Sequence, residues 1–109
     1  MTTFNFISDD SHGWMEVDLT EYPEAKNYAT GFGYINGNLI YLEEDDEAEN
    51  FIVHLMSMGE TPTFNEKNYN GQWYGRAYAR NTPGIHAQVD GAELVALVEE
   101  SLTRLMTDD

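Results

Sequence analysis

Six carboxylates, Glu43, Glu44, Asp45, Asp46, Glu47 and Glu49, fall within the eight positions from Glu43 to Asn50, directly before the apolar run FIVHLMSM. Carboxylates at that density have three uses. They can converge on a hard cation such as Ca²⁺ or Mg²⁺. They can present negative charge to a basic partner, or they can start a helix, whose amino end carries partial positive charge. The cation reading fails on spacing, because the glycine that follows the early ligands of a calcium loop is missing, and no metal is assigned. Asp46, Glu47 and Glu49 are accounted for by capping and the helix dipole. Glu43, Glu44 and Asp45 exceed what a helix start needs, and that surplus is the functional clue.

A second stretch with chemistry in it is WYGRAYAR, Trp73 to Arg80. As a strand it sets Trp73, Gly75, Ala77 and Ala79 on one face and Tyr74, Arg76, Tyr78 and Arg80 on the other. Such a Tyr/Arg ladder can anchor a protein or small ligand, and in other settings stacks bases. The plainer use of these arginines is to neutralise acids across the sheet, for instance Glu43 or Glu16. With Tyr34 and Tyr41 from a neighbouring hairpin, Tyr74 and Arg76 would frame a ligand face.

Other reactive patterns are absent from the sequence. There is no cysteine, hence no disulfide, thiolate zinc site or thiol nucleophile. His12, His54 and His86 show no metal-ligand spacing, and His12 beside Asp9 and Asp10 reads as a turn histidine. Ser8 and Ser11 lack a nucleophile elbow. Gly31-x-Gly33 lies in a hairpin with no helix opening after it, so it cradles no phosphate. The chain is therefore read as a non-enzyme without cofactor.

Charge limits the partners. Twenty acids against five bases give −15 over 109 residues, with a pI near 4.2. Phosphate backbones and anionic membranes repel such a surface, whereas a protein with a basic surface attracts it. The sign is unevenly spread: residues 1–66 sum to −13, residues 67–89 to +3 and residues 90–109 to −5. No apolar run approaches the roughly 20 residues of a membrane span. MTTFNFISDD has neither the basic patch nor the apolar stretch of a signal peptide. Host cytoplasm is the expected location.

The elements that position these residues follow from hydrophobic period and turn chemistry. A 41% hydrophobic content supports one core, and one domain is expected: sheet plus first helix over 1–80, a loop over 81–89 and a C-terminal helix over 90–109. TFNFIS starts the sheet and SDDSHG turns. WMEVDL alternates, with Met15, Val17 and Leu19 opposite Trp14, Glu16 and Asp18. TEYPEAKN holds a short helical turn with Pro23 early in it.

YATGFGYI and NLIYLEE flank Asn36-Gly37, a favoured hairpin turn, which pairs Phe32 with Tyr41 and Tyr34 with Leu39. That register puts Tyr28, Phe32, Tyr34, Leu39 and Tyr41 on one face, and Gly31, Gly33, Ile35, Ile40 and Leu42 on the other. The glycines leave room for a packed helix. Asp46 and Glu49 then form a capping box for a helix with the stripe Ala48, Phe51, Ile52, Leu55 and Met56, stopped at Gly59. TPTFNEKNY and GQWYGRAYAR are expected as a hairpin about Asn70-Gly71. Asp90 and Glu93 cap the last helix, striped by Leu94, Leu97, Val98, Leu102 and Leu105. The sum is an α+β fold, an antiparallel sheet of about five strands with two helices on one face.

HGWMEV (His12–Val17), GFGY (Gly31–Tyr34) and YLEEDDEAENF (Tyr41–Phe51) together resemble a family of small proteins carried by phages, plasmids and integrated elements. The family pattern runs His-Gly-Trp-Leu-x-Val, a Ser/Tyr-rich strand, then Tyr-Leu-Glu-Glu-Asp-Cys-Asp leading into a helix. Met15 stands here where Leu is usual, and Asp46 where the Cys is usual. The resemblance covers His12 to about Arg80 and implies a mobile-element setting. It brings no activity and no site residue with it.

These readings give two function hypotheses and a bland third. The first is an acidic inhibitor that occupies a basic surface of a host nucleic-acid-processing or defence complex, of anti-CRISPR or anti-restriction type, with carboxylates imitating phosphates. Its contacts are Glu43, Glu44, Asp45, Asp46, Glu47 and Glu49, supported by Asp9, Asp10, Glu16 and Asp18. The second is a small-ligand module built on Tyr34, Tyr41, Tyr74, Arg76, Tyr78 and Arg80. The third is a salt-adapted accessory domain. A homodimer through the free edge of TFNFIS or WYGRAYAR stays open.

Overall fold

The computed structural model describes residues 2–85, and the expected loop end and C-terminal helix beyond residue 85 lie outside the described residues. The architecture is α+β. Six strands, β1 (Thr2–Ser8), β2 (Gly13–Asp18), β3 (Tyr34–Asn36), β4 (Leu39–Glu43), β5 (Pro62–Asn68) and β6 (Ala79–Arg80), form one mixed sheet. Their order is β5-β1-β2-β4-β3-β6. One α-helix, α1 (Glu47–Ser57), and two 3₁₀ helices, Pro23–Tyr28 and Tyr74–Ala77, complete the described chain.

The alternation in WMEVDL holds as read. Met15 and Val17 are fully buried on one face, and Trp14 is buried on the other. The first face is covered by α1 and by the Pro23–Tyr28 turn: Met15, Val17, Ile40 and Leu42 pack with Ala25, Ala48, Phe51 and Leu55. Each large apolar side chain buried there contributes roughly 1.5–3 kcal/mol. The second face carries an aromatic cluster of Trp14, Tyr34, Tyr41 and Trp73 with Ile7. Trp73 stands 4.9 Å from Trp14 and 4.8 Å from Tyr41, centroid to centroid.

An all-antiparallel sheet of about five strands is corrected to a mixed sheet of six. β5 pairs with β1 in parallel, Thr2 against Pro62 through Ser8 against Asn68. The cause is α1, which carries the chain from β4 back across the sheet face. A strand reached by such a crossover runs parallel to the one that fed it. TFNFIS is therefore an inner strand, not an edge, and cannot pair a second copy. The described edges are β5 and β6.

The hairpin forms, shifted by one position. Tyr34 pairs with Tyr41, Ile35 with Ile40 and Asn36 with Leu39, so the loop is Gly37-Asn38. Gly37 has φ +62°, and no non-glycine residue among those described has positive φ. A turn needing positive φ at its first central residue selects the glycine for that place, which the Asn36-Gly37 reading put second. Tyr34 and Tyr41 share a face as expected. Phe32 precedes β3 and is exposed, and Tyr28 belongs to the 3₁₀ helix on the opposite side of the sheet.

Helix α1 starts and stops near the expected residues, by other means at its start. Asp46 is the N-cap residue, yet its side chain makes no capping bond. Instead the Glu47 carboxylate reaches back to the Glu43 N–H. The carboxyl end closes as a Schellman motif: Glu60 N–H donates to Leu55 C=O and Gly59 N–H to Met56 C=O, both at 3.0 Å, with Gly59 at φ +83°. Ala48, Phe51 and Leu55 are buried, while Met56 points outward.

WYGRAYAR is not a long strand. Trp73 plunges into the aromatic cluster, Tyr74–Ala77 coils as a 3₁₀ helix, and only Ala79–Arg80 pairs with the sheet, beside β3. Local polar bonds explain the curl. Asp10 accepts the Gly71 N–H and Asp9 accepts the Trp73 N–H, both at 2.9 Å, so the β1–β2 turn holds the segment down.

Candidate functional site

The acidic corner and the arginine segment, read separately in the sequence, border one cleft of about 340 Å³. β2 supplies Trp14, with His12 just before it. β3 supplies Tyr34, with Phe32 just before it. β4 ends in Glu43, and the turn into α1 adds Asp45 and Asp46. Arg76 and Arg80 close the opposite wall. Strand pairing sets the geometry, since Trp14 lies against Glu43 across β2–β4 and Tyr34 against Arg80 across β3–β6.

The two arginines sit over aromatic rings. The Arg76 guanidinium sits 4.9 Å from the Trp14 ring centroid and that of Arg80 4.6 Å from Tyr34. Arg76 is tied to Asp9 through Nε and Nη2, at 2.6 and 2.9 Å. Arg80 donates to the Phe32 carbonyl and forms no ion pair among the described residues. Carboxylates line the same cleft, yet none pairs with it.

On the acidic wall Glu43 is largely covered, with 15% of its side chain accessible. Burial, then the nearby Asp45 charge, raises its carboxyl above the usual range. His12 Nδ1 stands 4.0 Å from its Oε1. His12, Glu43 and Glu44 each bring one ligand atom within 4.8 Å of the others, a nitrogen and two oxygens in reach of a divalent cation. The Glu44 carboxylate rests over Gly13, where an added Cβ would meet Oε2 at 2.8 Å.

The remaining residues of the acidic hypothesis divide sharply. Glu44, Asp45 and Glu49 are exposed, and Asp46 is half-buried. Glu47 is fully buried and cannot touch a partner. Its carboxylate accepts the Thr30 N–H and hydroxyl, the Glu43 N–H and an Asn81 Nδ2 hydrogen. It is a polar brace joining β4, α1 and the loops after Ala29 and Arg80. Asp9 is likewise withdrawn, its side chain fully covered and its carboxyl held far below the ordinary range by Arg76. Asp10 is exposed but engaged with Gly71. Glu16 and Asp18 lie down β2, and Asp18 is roughly 13 Å of strand from Trp14. They line a separate depression with Glu21. Glu16 accepts from Asn5 at 3.0 Å, and Asp18 from the Thr20 N–H and hydroxyl.

The ligand-face residues divide as well. Tyr34, Arg76 and Arg80 line the cleft. Tyr41, Tyr74 and Tyr78 do not: Tyr41 and Tyr78 pack on Trp73 within the aromatic cluster, and Tyr74 is exposed beside Tyr69. Burial, followed by a bond to Glu16, raises the Tyr41 hydroxyl above its ordinary range. The expected arginine partners Glu43 and Glu16 are replaced by Asp9 for Arg76. Trp14 and Phe32 were missing from either set, although Trp14 next to a turn histidine was a visible signal.

Comparison with family models, curated proteins and solved structures finds no match to this chain. No helix among the described residues is long and apolar enough to cross a membrane.

Proposed function

We propose that this chain is an acidic interaction protein that docks on a basic surface of a host nucleic-acid-processing or defence complex and inhibits it, in the manner of an anti-CRISPR or anti-restriction protein. One observation carries the reading. Among the described residues the only Lys/Arg–carboxylate bridge is Arg76 to Asp9, whose carboxylate is covered, so the exposed acids there are paired with no Lys or Arg of the described residues. Glu44, Asp45 and Glu49 stand exposed where β4 passes into α1. A basic partner would supply the missing cations, with attraction that salt screens beyond roughly 10 Å at 0.1 M. The motif resemblance to mobile-element proteins supports the same reading.

The test is capture from bacterial lysate on the immobilised protein, followed by a competition assay on the captured complex. Recovery of a nucleic-acid-binding complex that the protein displaces from its substrate, at low salt only, is the expected result. A captured partner that binds the Glu44→Gln/Asp45→Asn/Glu49→Gln variant equally well overturns it.

A second reading, a small-ligand module, has the cleft in its favour. Tyr34, Arg76 and Arg80 do converge, and a volume near 340 Å³ lies within the roughly 300–1,000 Å³ of small-molecule sites.

A further inference from the structure

We infer that the cleft binds a small zwitterion, an amino-acid-like molecule whose carboxylate meets Arg80 and whose ammonium meets the Glu43–Asp45–Asp46 wall. The inference rests on the small-ligand reading and names its ligand class. The two walls carry opposite charge and border the same cleft, but they do not neutralise each other. Exposed opposite charges of an open groove ordinarily meet or drift into solvent. Here both are held by other bonds. Arg80 is pinned between the Tyr34 ring and the Phe32 carbonyl, which engages one of its five N–H donors, and the others meet no acceptor among the described residues. Glu43 has its backbone fixed by β-pairing against Trp14 and its side chain largely covered.

A ligand with a single charge would satisfy one wall and face the other at a loss. A lone cation is attracted by the carboxylates but repelled by the Arg80 guanidinium, Arg76 being paired with Asp9, and a lone anion meets the reverse. A bipolar ligand satisfies both. Phe32, 60% exposed at the rim, offers apolar area for the ligand's side chain. Trp14 is 2% exposed and borders the cleft, and its indole N–H has no acceptor among the described residues. Partial burial of Glu43 strengthens its pull on an ammonium group, since a charge removed from water attracts more.

The experiment is a titration of the full chain, followed by amide and indole N–H NMR, with four probes: L-phenylalanine, 6-aminohexanoate, L-phenylalaninamide and N-acetyl-L-phenylalanine. The first two carry both charges at different spacing, the third only the cation and the fourth only the anion. At least one zwitterion is expected to shift the Trp14 indole and Tyr34 amide signals, with both blocked forms about tenfold weaker or worse, the value of one lost charge-assisted bond. Arg80→Gln and Asp45→Asn, at exposed positions, should each weaken the zwitterion by a similar factor with the spectrum otherwise retained. A blocked form that binds as well as the zwitterion overturns the bipolar assignment while leaving a small-ligand site. Silence of those signals with all four probes overturns the small-ligand reading with it.

Discussion

Arg76 grips Asp9 across 67 positions of sequence, Nε to Oδ2 at 2.6 Å and Nη2 to Oδ1 at 2.9 Å. The same carboxylate accepts the N–H groups of Ser11, His12 and Trp73. One buried anion thus closes the β1–β2 turn, anchors the Trp73 segment and orients the guanidinium that covers Trp14. It is the fastener between the sheet and the arginine wall of the cleft.

Asp9→Asn should therefore cost stability in a pH-dependent way. Removing one member of a covered pair costs about 3 kcal/mol. Asp9 is depressed in the fold, so its contribution is fully present above the unfolded carboxyl pKa of about 3.9 and is lost as pH falls towards the folded value. Urea denaturation should show the full gap between wild type and variant at pH 7, narrowing below about pH 4. A gap that stays constant down to pH 2.5 would mean the bond is not ionic.

Glu47 tests which acids are structural. Glu47→Ala strands the N–H of Glu43, the Thr30 N–H and the Asn81 amide at a buried site, each worth about 1–3 kcal/mol when left unmet. A loss of at least 3 kcal/mol is expected by denaturant titration. Glu44→Gln, at an exposed position, should stay within about 0.5 kcal/mol of wild type. Equal effects for the two would remove the distinction between brace and surface.

Sequence made the strand faces legible wherever neighbours in the chain decide them. Met15 and Val17 against Trp14, the 3₁₀ turn begun by Pro23 and the stop at Gly59 are all local consequences of period and φ. What it hid depends on residues far apart. Glu47 looks like any first-turn helix acid until Thr30 and Asn81 close on it. Trp73–Arg80 alternates like a strand, but Asp9 and Asp10, more than sixty positions away, hold it as a coil. β5 reads as a hairpin arm because nothing in TPTFNEKNY announces that a helix delivers it beside β1. The cleft shared the same fate: its acids and its arginines were each visible, their meeting was not.

Gly33 and Gly37 separate two reasons for glycine. A Cβ on Gly33 would strike the Tyr41 carbonyl, the Glu47 carboxylate and the Asn81 amide, with backbone on one side and the brace on the other. Gly37 has open space and needs only its positive φ. Gly33→Ala should cost about 2–4 kcal/mol, as overpacking with loss of buried bonds does. Gly37→Ala should cost about 1 kcal/mol, the strain of a left-handed alanine. Thermal denaturation of the two variants in parallel gives the order, and a reversed order would place the hairpin, rather than the brace, at the tighter point.

The last prediction returns to the surplus acids. Glu44, Asp45 and Glu49 are exposed, and in a chain of net charge −15 their mutual repulsion opposes folding. Only Glu49, in the first turn of α1, gains from the helix dipole, by about 0.3–1 kcal/mol. Glu44→Gln/Asp45→Asn/Glu49→Gln should thus match wild type within about 1 kcal/mol at 20 mM salt, and the gap should shrink at 1 M as screening acts on both. If the same variant has lost its captured partner, the acids serve binding and not the fold. A large loss of stability at both salt concentrations would instead make them part of the helix start, and the case for a basic partner would lose the residues on which it stands.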